Sequence, residues 1–89
     1  MTVGDDRPRR LDGVSVRDRD GTPTLIGPTG ERLARLNETA LAVWDLCDGQ
    51  TTVDEMVEAV VELSAVDRDR VRTDVDRTLI ALDSVGALQ

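Results

Sequence analysis

A thiol, a late serine and an alternating run of acids and arginines are the side chains of this 89-residue sequence with the makings of chemistry. Cys47 would serve as a nucleophile, but no His occurs anywhere in the chain to take its proton, and the thiolate is the reactive form. The spacing Ala40, Val43, Trp44, Cys47 instead sets it on one apolar helical stripe, where it reads as a small buried hydrophobe. Asp67, Asp69, Asp74 and Asp76 alternate with Arg68, Arg70, Arg72 and Arg77. Metal ligation would require the acids to converge, whereas a helix scatters this spacing around its cylinder, so a solvated, salt-bridged face is the better reading. No catalytic residue, metal site or cofactor is expected.

Asp83-Ser84-Val85 resembles the Asp-Ser-Leu that carries phosphopantetheine in acyl carrier proteins, and the small acidic chain suits that class. Position argues against it: the carrier serine opens a helix with two helical segments still to come, while Ser84 stands at a helix end with five residues behind it.

The elements that position these residues follow from patterning. At 89 residues the chain buries about 60–65% of its unfolded surface, enough for one core, and multi-domain enzymes are excluded. Residues 1–10 hold little apolar content and read as a flexible N-terminal arm, leaving 11–89 as the domain. Val14 and Val16 alternate with polar residues, Thr22 to Ile26 is rich in β-branched residues, and Asp20-Gly21 between them predicts a tight hairpin. Gly27-Pro28-Thr29-Gly30 predicts a second turn into a third strand, Glu31 to Leu36.

Beyond Leu36 the apolar period lengthens to that of helices. Asn37 is placed to cap the first and Asp48-Gly49 to stop it; Thr52 to Glu55 has the capping-box form, with Val53, Met56, Val57, Val60 and Leu63 as the second stripe. Asp67 is placed to cap a third helix from about Arg68 to Val85, with stripe Val71, Val75, Leu79 and Leu82 and Gly86 as its stop. The expected fold is α+β: a three-stranded antiparallel sheet followed by three helices.

Charge excludes further classes. Residues 1–36 carry seven Arg and six acids, net +1, and residues 37–89 four Arg and twelve acids, net −8. Nucleic acid requires clustered positive charge, yet the third helix balances four Arg with four Asp, so DNA binding is disfavoured, though a winged-helix regulator that binds DNA or a protein partner stays the alternative from another class. No apolar run approaches the roughly 20 residues that span a bilayer, and acidic helices would be repelled by anionic lipid, so no membrane association is expected. One Cys and an N-terminus without a cationic, apolar start predict a cytoplasmic protein.

What remains is a binding module built on the sheet edge, where unpaired amides and carbonyls are open to an added strand. Leu33 would then line a shallow groove; alternatively Arg32 and Arg35 merely guard the edge against aggregation, and composition leaves both open.

The run Arg35-Leu36-Asn37-Glu38-Thr39-Ala40, then Trp44 to Gly49, Thr52 to Glu55 and a terminal Gly-Ala-Leu, resembles the PqqD family over roughly Leu11 to Gln89. These are peptide-binding domains, also called RiPP recognition elements, of ribosomal peptide biosynthesis. The resemblance implies a winged-helix-like fold and a non-catalytic adaptor that binds a precursor's leader peptide. It would present the leader to a modifying enzyme, a radical SAM maturase or, alternatively, a leader peptidase. It places the leader along Arg32, Leu33, Ala34, Arg35 and Leu36, in a cleft whose helical wall is Arg72, Val75, Asp76, Leu79, Ile80 and Asp83. Leu33, Leu79 and Ile80 would take apolar anchors, and Arg35, Arg72, Asp76 and Asp83 would check charge. Ala34 and Glu38 depart from the bulky residue and the Pro that the family often has there.

Overall fold

Alternation and turn chemistry produce the predicted meander. In the computed structural model, which describes residues 7–89, β1 (Ser15–Arg19), β2 (Thr22–Ile26) and β3 (Arg32–Arg35) form an antiparallel sheet in that order. Asp20 and Gly21 both take positive φ, 55° and 83°, the pair of left-handed conformations that lets a two-residue turn follow the twist of its strands. The second turn is held by Glu31, whose carboxylate accepts from the Thr29 hydroxyl (2.6 Å) and amide (3.1 Å). These bonds stabilise the charged form and hold the Glu31 carboxyl below its ordinary pKa.

Three helices follow: α1 (Glu38–Leu46), α2 (Val53–Ser64) and α3 (Arg68–Ser84). Asn37 caps α1 by accepting from the Ala40 amide at 2.7 Å. Thr52 and Glu55 close the capping box of α2 from both sides. Asp67 precedes α3 as expected but makes no capping bond with its side chain, a departure from its predicted role. At the other end Ala87 donates to the Leu82 carbonyl and Gly86, at φ 77°, to that of Asp83, the paired bonds of a Schellman stop.

The helices bury one stripe each against the inner face of β2. Leu25, Val43, Met56, Val57 and Val75 are fully enclosed, and Cys47 and Trp44 sit among them. Leu63, expected on the α2 stripe, is instead 78% exposed. It lies in the last turn of the helix, where the stripe has run past the core and the chain reverses into α3.

The expected N-terminal arm is described from Arg7 onward. Residues 1–6 lie outside the described residues, but the next few are threaded between the α1–α2 connection and the C-terminus. Arg10 donates its amide to the Cys47 carbonyl, Leu11 to Ala87, while the Pro8 and Arg9 carbonyls accept from Gly49 and Gln89, all at 2.8–3.0 Å. The Arg10 guanidinium donates to the Trp44 and Asp45 carbonyls at 3.0 Å and lies 5.7 Å above the Trp44 ring. Helix α1 has no basic residue in its own last turn, so this arginine supplies the positive charge its carbonyl end favours. Low apolar content concealed a segment held by backbone pairing and one cation.

Candidate functional site

Strand β3 pairs with β2 on one side only, so its other edge carries backbone groups with no strand beside them among the described residues. Its register is irregular: Ala34 faces Leu25 and Arg35 faces Thr24, but Ile26 faces Arg32, leaving Leu33 as the extra residue of a bulge. The bulge breaks the alternation expected for Leu33. That side chain is half-buried and packs against the core cluster rather than standing clear as a groove wall.

Beside the open edge runs a groove of about 530 Å³ between the β3–α1 segment and α3. Ala34, Arg35, Leu36 and Ala40 form one wall; Asp74, Arg77, Thr78 and Ala81 form the other. Leu36 and Leu82, 4% and 2% exposed, make the floor. The groove exists because small residues face one another across it: Ala34 and Ala40 oppose Ala81, and the Thr78 hydroxyl turns back to the Asp74 carbonyl at 2.8 Å. Its floor is apolar, and its rim offers Asn37, Thr39, Asp74 and Arg77.

The strand residues expected at the site are therefore brought together: Ala34, Arg35 and Leu36 line the groove and Arg32 lies exposed at the start of β3. The helix residues are not. Val75 and Leu79 are 0% and 6% exposed and belong to the core. Arg72 is ion-paired with Asp54 of α2. Asp76, Ile80 and Asp83 are exposed, but at about 100° per residue they project from nearly the opposite flank of α3 to Asp74, Thr78 and Ala81. A core stripe has two flanks: the expected wall lies on the one that faces α2, and the groove lies on the other. The groove-lining residues outside that expectation, Asp74, Arg77, Thr78 and Ala81, carry a faint signal in the sequence: small or short side chains at i, i+4, i+7 beside the stripe.

The alternating charges of α3 resolve into interhelical pairs, Arg68 with Glu58 and Arg72 with Asp54. The bond from Arg68 holds the Glu58 carboxyl below its ordinary pKa, and Glu58 raises that of Arg68 in return. Cys47 is buried, and desolvation pushes its thiol up to about 12, so it carries no thiolate near neutrality. Ser84 closes α3 as an exposed terminal residue. Among the described residues no three ligand-type side chains converge on a metal position, and no helix is long and apolar enough to cross a membrane. A second, polar cavity of about 290 Å³ lies between the Arg9–Val14 segment and Cys47-Asp48.

A family model described as coenzyme PQQ synthesis protein D (PqqD) matches residues 24–88. No curated protein matches the chain. Among solved structures, TbiB1 in complex with the TbiA(beta) leader peptide is 26% identical; the alignment covers 91% of this chain and 94% of that one, with a TM-score of 0.74. The solution NMR structure of the PqqD truncation of Methylobacterium extorquens PqqCD, described as a functional, stand-alone RiPP recognition element, is also 26% identical. It aligns over 92% of this chain and 87% of its own, with a TM-score of 0.71.

Proposed function

Since the chain belongs to the PqqD family, and its β3 edge stands open beside a groove, we propose that it is a RiPP recognition element that captures a precursor's leader peptide by strand addition. The observation that carries this reading is the juxtaposition of an unpaired strand edge with an apolar-floored groove. The solved relative TbiB1 holds a leader peptide, which supports the same assignment here. Backbone pairing supplies affinity without regard to sequence, and the groove between Ala34 and Ala81 selects the side chains that point inward. A micromolar complex needs about −8 kcal/mol, within reach of one strand and two or three seated side chains after ordering costs.

The protein makes and breaks no bond in this scheme. It acts in the cytoplasm as an adaptor and passes the bound leader to a modifying enzyme, for which a radical SAM maturase is our proposal. Affinity capture from the native host tests the partner: enrichment of such an enzyme supports the assignment, and enrichment of a leader peptidase replaces it.

Amide-shift mapping with the cognate leader tests the site. Shifts are expected at Arg32 to Leu36 and along Asp74, Arg77, Thr78 and Ala81; a cluster confined to the outer faces of α1 and α2 would refute the placement. Raising salt should weaken the complex only modestly, whereas the steep loss typical of phosphate contacts would point to nucleic acid.

A further inference from the structure

The sheet face turned away from the helices is built of arginine rows. Arg17, Thr24 and Arg35 align across the three strands, and Ser15, Ile26 and Arg32 form the next row. Thr24 and Ile26 are 2% and 6% exposed although they point away from the helical core, whereas the three arginines are exposed. The long arginine stems flank the central strand and keep their charged heads in water. Among the described residues the ion pairs lie between α2 and α3, so none of Arg17, Arg32 and Arg35 is in a direct ion pair. On a chain of net charge −7 this face is a local exception.

A peptide strand laid along β3 turns alternate side chains to the two faces of the sheet. Inward positions meet Ala34 and the groove; outward positions stand beside Arg35 and Arg32 at the cross-strand separation of about 5 Å, with Arg17 adding to the field further along the row. Resting on the strand-capture reading above, we propose that the captured segment is acidic at its outward alternate positions and apolar or small at its inward ones. A carboxylate so placed meets an exposed guanidinium already held in register by the sheet, so the charge match selects both ligand and register. Edge protection by like charge is the competing role for these arginines; it predicts self-association when they are removed and no effect on which peptide is preferred.

The test is selection from a display library of about ten random residues, using the wild-type chain and an Arg32→Gln/Arg35→Gln variant shown by circular dichroism to be folded. The wild type should enrich Asp or Glu at alternate positions and the variant should lose that pattern. A synthetic wild-type winner should bind the variant about ten-fold more weakly, and Arg35→Lys should retain most of the affinity. Winners that shift β3 amides without alternating acids, or that bind both proteins equally, overturn the charge inference and leave strand capture standing. Winners that bind away from β3 overturn both. Self-association of the variant with unchanged peptide preference assigns the arginines to edge protection instead.

Discussion

Single residues decide local stability here through backbone groups rather than through the core. Arg10 satisfies two carbonyls at the end of α1 and covers the Trp44 ring, so Arg10→Ala should cost about 1–2 kcal/mol, read as a lower urea midpoint at unchanged slope. Asp48 accepts from the Gln50 and Thr51 amides, which hold its carboxyl below the ordinary value. Because the folded chain binds that proton less readily than the unfolded one, the contribution is complete above the unfolded pKa and disappears as pH falls through the folded one. Asp48→Asn should therefore show a shallower decline of the urea midpoint on acidification below about pH 4. Asn37, Thr52, Glu55 and the Asp20-Gly21 turn were legible from the sequence, because caps and turns depend on residues within three positions of one another. Asp67 was misleading: the residue type suited a cap, but its side chain makes no such bond.

At the level of elements, the groove is a relation between β3 and the flank of α3 that bears Thr78 and Ala81. Ala81→Leu should fill it and weaken leader binding about ten-fold or more, while Ile80→Ser, on the far flank, should leave affinity within about two-fold; fluorescence polarisation with a labelled leader measures both. The opposite ranking would restore the wall first expected from Ile80, Asp76 and Asp83. Periodicity identified the buried stripe Val71, Val75, Leu79 and Leu82 because burial repeats with the helix. It gave no means of distinguishing the two sides of that stripe, since Arg72 and Arg77 look equally polar until one is seen to pair with Asp54 and the other to rim the groove. The bulge at Leu33 was hidden for a similar reason: it is a mismatch between two strands, not a property of either.

Across the whole molecule, the N-terminal segment, the α1–α2 connection and the C-terminus form one seam, although the low apolar content of the first ten residues suggests an arm outside the fold. Removing residues 1–11 should lower stability by about 2–4 kcal/mol, because the backbone bonds of this segment and the Arg10 interactions go with it, and calorimetry should record a lower melting temperature. An unchanged melting temperature would return the segment to the status of an appendage. By itself the sequence determined the order of strands and helices, the caps and turns that delimit them, the core stripes and the family, because each is written in spacings of a few residues or in their succession. Tertiary structure alone decided which flank of α3 faces β3, where the β3 register slips and what the early arginines touch. These depend on the meeting of segments far apart in the chain, and side-chain type leaves such meetings undetermined until packing fixes the orientation of each element.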